Sequence, residues 1–387
     1  MNDRLVLAPW LTCSDPWATA RARAVQGELS MYEAVALAPS ALDRSGTLGD
    51  LEIVGPRRWH SALGSSAALV IPGGKVNLGA RTPLGSPLRG LAAAAVARGK
   101  QVAVTGVGLS GQAARRTGVS ARLLTAVPDL LFVRTEATAR ILVRAGARPP
   151  IRVGADPLWL ALARELSRVD VLATVLTSGA DGTGVLGRRS SWKTSDKLLV
   201  AGCLPDHTLT PLVAAAVAQL TREGLRVMVQ TGPGADDAKR YRSGPRLASS
   251  IAERVVGTEV LEGPLSVQSA IEQSASARLV MAMDWPSTCV AAAVGTPLLA
   301  VTEDPEVAAL AALLGQATVT PQAGEKAISR AALAALDGEG AAADGLASQL
   351  QGARGGLGML RMLLDRGKGK DLPALGALTL HPEPWAS

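Results

Sequence analysis

Short apolar runs alternate with longer segments of helical period through most of the chain. Residues 5–8, 67–71, 101–105, 130–133 and 151–153 are apolar runs of strand length, and residues 18–29, 87–97 and 135–145 have the character of helices. This alternation predicts a parallel sheet with helices on both faces and ligands gathered at the carboxyl ends of the strands. Two of those ends are glycine-rich: 67–71 runs into Pro72-Gly73-Gly74-Lys75, and 101–105 into Gly106-Val107-Gly108-Leu109-Ser110-Gly111.

A second series begins at a predicted strand over 197–200. Thr210 and Pro211 predict an N-cap followed by proline in the first helical turn. Leu212, Val213, Val217 and Leu220 then share one helical face before Gly224. Strands are predicted over 226–230, 278–283 and 298–301, with a helix over 288–294. The division expected is an N-terminal domain over 1–175, a linker or loop rich in Gly, Ser and Arg over 176–196, and a second domain over 197–335. A Gly/Ala-rich segment, an apolar helix near 357–364 and a basic tail fill 336–387. That last helix is expected to pack back on the first domain.

Composition narrows the class. With 48% hydrophobic and 19% charged residues, the chain of 387 residues is neither disordered, collagen-like nor a disulfide scaffold. Aromatic residues at 3% offer few stacking platforms for bases, so no nucleic-acid partner is expected. Cys13, Cys203 and Cys289 are far apart and His60, His207 and His381 are scattered, so no metal site and no cofactor are expected. The cysteine usage suits a reducing cytoplasm. The start of the chain does not read as a signal peptide. The longest uncharged stretch, 285–302, is interrupted by Pro286, Gly295 and Pro297, and reads as a helix and a strand rather than a membrane span. A formal charge of +7 suits an anionic ligand, a lipid-linked saccharide or peripheral contact with a membrane, and leaves a homo-oligomer open.

Several groups are candidates for chemistry. Gly106 and Gly108 fit G-x-G-x-x-G, but the acidic residue such a dinucleotide site needs on the next strand is replaced by Arg134, so a tight glycine turn beside a cleft is favoured. Gly73 and Gly74 let a ligand approach the backbone, where Lys75 would meet a phosphate or carboxylate. Arg81, Arg134, Arg188, Arg189 and Lys193 are further cations at loops or strand ends. Arg134 is expected to face the cleft or to brace its floor through a carboxylate, with Asp156 as partner.

The order of these segments resembles the polysaccharide pyruvyl transferase family. The resemblance is carried by 70–74 (VIPGG), 99–108 (GKQVAVTGVG), 133–138 (VRTEAT), 155–157 (ADP), 279–286 (LVMAMDWP), 291–297 (AAAVGTP) and 304–307 (DPEV). It implies two Rossmann-like domains in a glycosyltransferase-B-like arrangement. It also implies transfer of a pyruvyl group from phosphoenolpyruvate to a glycan sugar as a ketal, for a cell wall, an S-layer anchor or a capsule. The chain departs from the family where it matters for the donor. Asp284 and Pro286 stand at the R-x-H positions, Glu303 and Glu306 replace a tyrosine and a lysine, and the N-terminal G-N-x-G-D-E is not recognisable in 9–15. The alternative is a glycosyltransferase in which Asp284, the candidate catalytic residue, binds a sugar hydroxyl and Ser287 with its helix N-terminus meets a nucleotide-sugar diphosphate. In both readings the acceptor is a glycan or lipid-linked saccharide. A third reading is a non-catalytic relative acting as a binding subunit.

Overall fold

A computed structural model describes residues 4–8, 17–37, 46–48, 51–55, 58–76, 85–109, 128–144, 151–168, 195–202, 204, 207–230, 243–261 and 266–367. The first domain carries strands β1 (Arg4–Leu7), β2 (Glu33–Leu37), β3 (Gly46–Leu48), β4 (Leu51–Val54), β5 (Ala68–Pro72), β6 (Lys75–Val76), β7 (Gln101–Leu109), β8 (Leu130–Val133) and β9 (Ile151–Val153). Their order is β3-β4-β2-β1-β5-β7-β8-β9, with β6 against the end of β7. All pairings are parallel except β3 with β4. Helices α1 (Trp17–Glu28), α2 (Trp59–Gly64), α3 (Gly85–Val96), α4 (Glu136–Arg144) and α5 (Leu158–Arg168) connect or cover them.

The second sheet is separate and wholly parallel. It contains β10 (Lys197–Ala201), β11 (Arg226–Gln230), β12 (Glu259–Leu261), β13 (Leu279–Ala282), β14 (Leu298–Val301) and β15 (Ala317–Val319) in the order β12-β11-β10-β13-β14-β15. Helices α6 (Thr210–Arg222), α7 (Ser243–Ala252), α8 (Val267–Ser276), α9 (Trp285–Ala293), α10 (Pro305–Leu313) and α11 (Glu325–Leu336) accompany it. In each sheet the strand order reverses once, between β1 and β5 and between β10 and β13. These two switch points are where an open α/β sheet has a crevice for ligands. β5, β13 and β14 are buried along their whole length, as strands with helices on both faces must be. Leu, Val, Ile and Ala build nearly all of this core, the largest exceptions being Trp17, Trp159 and Trp285.

Three local expectations change. Helix α6 starts at Thr210 itself, behind a 3₁₀ turn at His207–Leu209, and Leu209 takes the cap position, so Thr210 does not cap the helix. Strand β7 does not stop at Thr105 but continues through Gly106 and Gly108 to Leu109, with a register shift between Val104 and Val107 that Gly106 absorbs at φ +66°. The Gly/Ala-rich stretch after Gly338 is largely helical: α12 (Ala343–Gly367) is one helix of 25 residues. Two of its glycines, Gly345 and Gly352, sit where it meets other backbone. A Cβ on Gly345 would lie 2.5 Å from the Leu313 carbonyl oxygen, and one on Gly352 would lie 3.2 Å from the backbone of Gly154.

Helix α12 returns to the first domain, as expected. Gln101 donates to the Leu363 carbonyl at 3.2 Å and the Tyr32 hydroxyl to Asp365 at 3.1 Å. Tyr32→Phe is expected to lower the stability by about 1 to 2 kcal/mol, read as a shift of the urea unfolding midpoint.

Candidate functional site

Residues that follow the carboxyl ends of strands in one domain touch residues that follow strand ends in the other, so the two edges face each other across an interdomain cleft. Its floor is built first from the β5 end. Gly73 and Gly74 take left-handed conformations, φ +66° and +86°. A Cβ on Gly73 would lie 2.7 Å from both Arg21 Cδ and Asp156 Oδ1. Only glycine lets the chain pass so close to this pair. Arg21, on α1, donates through Nε and Nη2 to the two carboxylate oxygens of Asp156 at 2.7 and 2.6 Å. Both side chains are buried. Asp156 Oδ1 also accepts from the Leu158 amide at 2.9 Å, which anchors the start of α5.

Arg134, at the end of β8, links this pair to the second domain. Its Nη1 lies 3.8 Å from Asp156, and its Nε and Nη2 donate to Glu306 Oε2 at 3.2 and 2.7 Å. Thr135 donates to the other oxygen of Glu306 at 3.2 Å. The guanidinium lies 3.9 Å from the centroid of the Trp285 ring, a cation–π contact. Nearer the rim, Lys75 on β6 makes a hydrogen-bonded ion pair with Asp304, whose other oxygen accepts the Glu306 amide at 3.0 Å and caps α10. Three cations thus meet three carboxylates, and two of the contacts, Lys75 with Asp304 and Arg134 with Glu306, cross between domains. Charges taken this far from water are tolerated because each is paired with a partner of opposite charge and hydrogen-bonded.

The remaining candidates fall around this network. Gly108 is filled from outside: a Cβ there would lie 2.2 Å from Arg134 Nε and 2.3 Å from Glu306 Oε2. At Gly106 the near neighbour is the Ala155 carbonyl oxygen at 2.5 Å. The two glycines therefore make room for protein groups, and the Gly108 amide donates to the Gly74 carbonyl at 2.8 Å. Asp284 follows β13 at the second switch point, and its Oδ1 accepts the Ser287 amide at 3.0 Å to cap α9. Gly202 follows the adjacent strand β10 at φ +96°, where a Cβ would lie 2.7 Å from the Asp284 carboxyl carbon. Arg81, Arg188, Arg189 and Lys193 lie outside the described residues.

The expectation that Arg134 braces the floor through a carboxylate holds, but Glu306 is the main partner and Asp156 the more distant one. Sequence reasoning missed Arg21, Gly202 and the pairing role of Glu306. Arg21 left no local signal, because Arg23 on the same helix is flanked by alanines in the same way. Among the described residues no group of three or more His, Cys, Asp or Glu side chains could hold a metal ion. Among them, too, no helix is long and apolar enough to cross a membrane.

Cys289 on α9 is buried beside the network. Burial pushes its thiol well above the ordinary range, with Asp156 and Asp284 acting in the same direction and Arg21 and Arg134 against it. Such a thiol is protonated and inert. Iodoacetamide at pH 8 is expected to leave Cys289 unmodified in the folded chain and to alkylate it in urea, as peptide mapping by mass spectrometry will show.

No protein-family model matches the chain, and a search of curated proteins gives no significant match. Solved structures do resemble it. UDP-N-acetylglucosamine 2-epimerase from Rickettsia bellii is 11% identical and superposes with a TM-score of 0.59 over 95% of this chain and 97% of that one. The HepE protein of Anabaena, in complex with UDP-glucose, is 11% identical with a TM-score of 0.57 over 95% and 98%. A UDP-forming trehalose-phosphate synthase from Burkholderia xenovorans is 12% identical with a TM-score of 0.55 over 95% and 98%. Likeness over nearly the full length of each chain establishes the fold: two Rossmann-like domains in the glycosyltransferase-B arrangement.

Proposed function

We propose that the chain binds a nucleotide sugar in the interdomain cleft and transfers its sugar to a glycan or lipid-linked acceptor. The observation that carries this reading is the pairing of Gly202 with Asp284 at the switch point of the second sheet. There a glycine without a side chain and a half-buried carboxylate lie side by side at two adjacent strand ends. A carboxylate in that place accepts hydrogen bonds from ribose or sugar hydroxyls, and its orientation is fixed by the Ser287 amide. The complexes with UDP-glucose and other uridine nucleotides among its structural neighbours support the same ligand class. The Ser287 amide at the start of α9, expected to meet the diphosphate, is instead taken by the Asp284 cap.

Thermal shift with UDP, UDP-glucose, UDP-N-acetylglucosamine and phosphoenolpyruvate tests it. A ligand at a hundred times its dissociation constant stabilises the folded state by about 2.7 kcal/mol. A uridine nucleotide is expected to raise Tm and phosphoenolpyruvate to leave it unchanged. Silence toward all four would favour the non-catalytic reading. Asp284→Asn is expected to abolish the nucleotide-sugar shift while keeping the helix cap. Asp284→Ala is expected to lose the cap as well, at a cost of about 1 kcal/mol.

Pyruvyl transfer is the second reading. One observation favours it: the VRT and ADP segments that resemble the pyruvyl transferases meet in space through Arg134 and Asp156. A Tm rise with phosphoenolpyruvate alone, accompanied by phosphate release when an acceptor sugar is added, would put it first.

A further inference from the structure

We infer that Glu306 and Asp304 are specificity-determining residues that bar small dianions from the cleft floor by occupying the anion-binding faces of Arg134 and Lys75. What the cleft admits instead rests on the nucleotide-sugar reading; the exclusion rests on the ion pairs alone.

An α/β fold holds a phosphate with two kinds of group, a cation at a strand end and the amides of a helix N-terminus. At this floor both are engaged by carboxylates of the chain itself. Arg134 is 2% exposed and Glu306 0%. Of the guanidinium donors, Nε and Nη2 serve Glu306, Nη1 lies near Asp156, and one face is covered by Trp285. A phosphate reaching Arg134 would have to expel Glu306 from its pair, leaving that buried carboxylate uncompensated and close to the new anion. At the rim, Lys75 is committed to Asp304, and Asp304 also takes the Glu306 amide at the start of α10. The neighbouring helix start is committed in the same way, the Ser287 amide of α9 going to Asp284. The network's three cations, Arg21, Arg134 and Lys75, are matched by Asp156, Glu306 and Asp304, so none is left over for a small dianion.

The test measures anion binding directly, by isothermal titration of the full chain with inorganic phosphate and with phosphoenolpyruvate at low salt. Glu306→Gln and Asp304→Asn keep the shape of each side chain and remove its charge; the asparagine oxygen keeps the cap on α10 and its NH2 turns to Lys75, which releases that lysine. Wild type is expected to bind neither anion below millimolar concentration. Each variant is expected to gain at least about tenfold in affinity. The gain in Asp304→Asn should vanish when Lys75→Gln is added. Micromolar binding of either anion by wild type would overturn the inference, as would two folded variants with no gain. If Glu306→Gln does not fold, Asp304→Asn at the rim decides alone. UDP-glucose titrated in parallel keeps the two readings apart: wild type that binds neither UDP-glucose nor phosphate loses the proposed function and keeps the exclusion.

Discussion

Replacing Arg134 by alanine is expected to destabilise the folded chain by about 3 to 5 kcal/mol, the range for breaking a buried ion pair by removal of one partner. The size follows from what is left behind. Glu306 and Asp156 are both fully buried, and without Arg134 the first loses two of its hydrogen bonds and the second a nearby positive charge. Arg226 provides the control, since its bidentate pair with Asp196 lies at the surface. Arg226→Ala is expected to leave the urea midpoint nearly where it was. Combining Arg134→Ala with Glu306→Gln should cost less than the sum of the single changes, because the two residues are in direct contact. Equal effects of Arg134→Ala and Arg226→Ala would contradict the buried network.

Gly106→Ala is expected to be the second large perturbation. The new methyl would sit 2.5 Å from the Ala155 carbonyl oxygen and 2.6 Å from Pro157, in a backbone at φ +66°. A left-handed alanine costs about 1 to 2 kcal/mol, and overpacking a fixed site adds about 1 to 3 kcal/mol. Gly224→Ala separates the two contributions. It also has a positive φ, +90°, but nothing lies within 4 Å of its added methyl. The difference between the two variants in urea unfolding is therefore expected to equal the overpacking alone, and a difference of zero would show that Gly106 is kept for its dihedral angle only.

Where the sequence is periodic, the architecture was legible. The apolar runs 130–133, 151–153, 226–230 and 298–301 correspond to β8, β9, β11 and β14 to the residue. Strands β2 and β4 were not anticipated. EAVAL and LEIV are as apolar as the run at 151–153 but stand in a stretch with no helical segment read between them. The end of α12 was visible and its first half was not, because glycine reads locally as a helix breaker. In this helix Gly345 and Gly352 serve close backbone approach, a tertiary reason that no local pattern contains.

The site divides in the same way. Gly73, Lys75 and Arg134 stand out locally, as small or cationic residues at strand ends, and the fold brings Gly73 and Arg134 to the cleft floor and Lys75 to its rim. Glu306 stands out only as a departure, an acid where the resembling family has a base. Its meaning depends on a partner 172 residues earlier in the chain. Once the two strand edges face each other, the acid at 306 compensates the arginine at 134. That ion pair ties the two domains together at the floor.

The most direct test of the account is a crystal structure of the chain soaked with UDP-glucose. Ligand density is expected in the crevice at the carboxyl ends of β10 and β13. A ribose or glucose hydroxyl should lie about 2.5 to 3.0 Å from the Asp284 carboxylate, and the Arg134–Glu306 pair should remain intact beneath it. Density touching neither Gly202 nor Asp284, or a phosphate seated on Arg134 with Glu306 displaced, would contradict it.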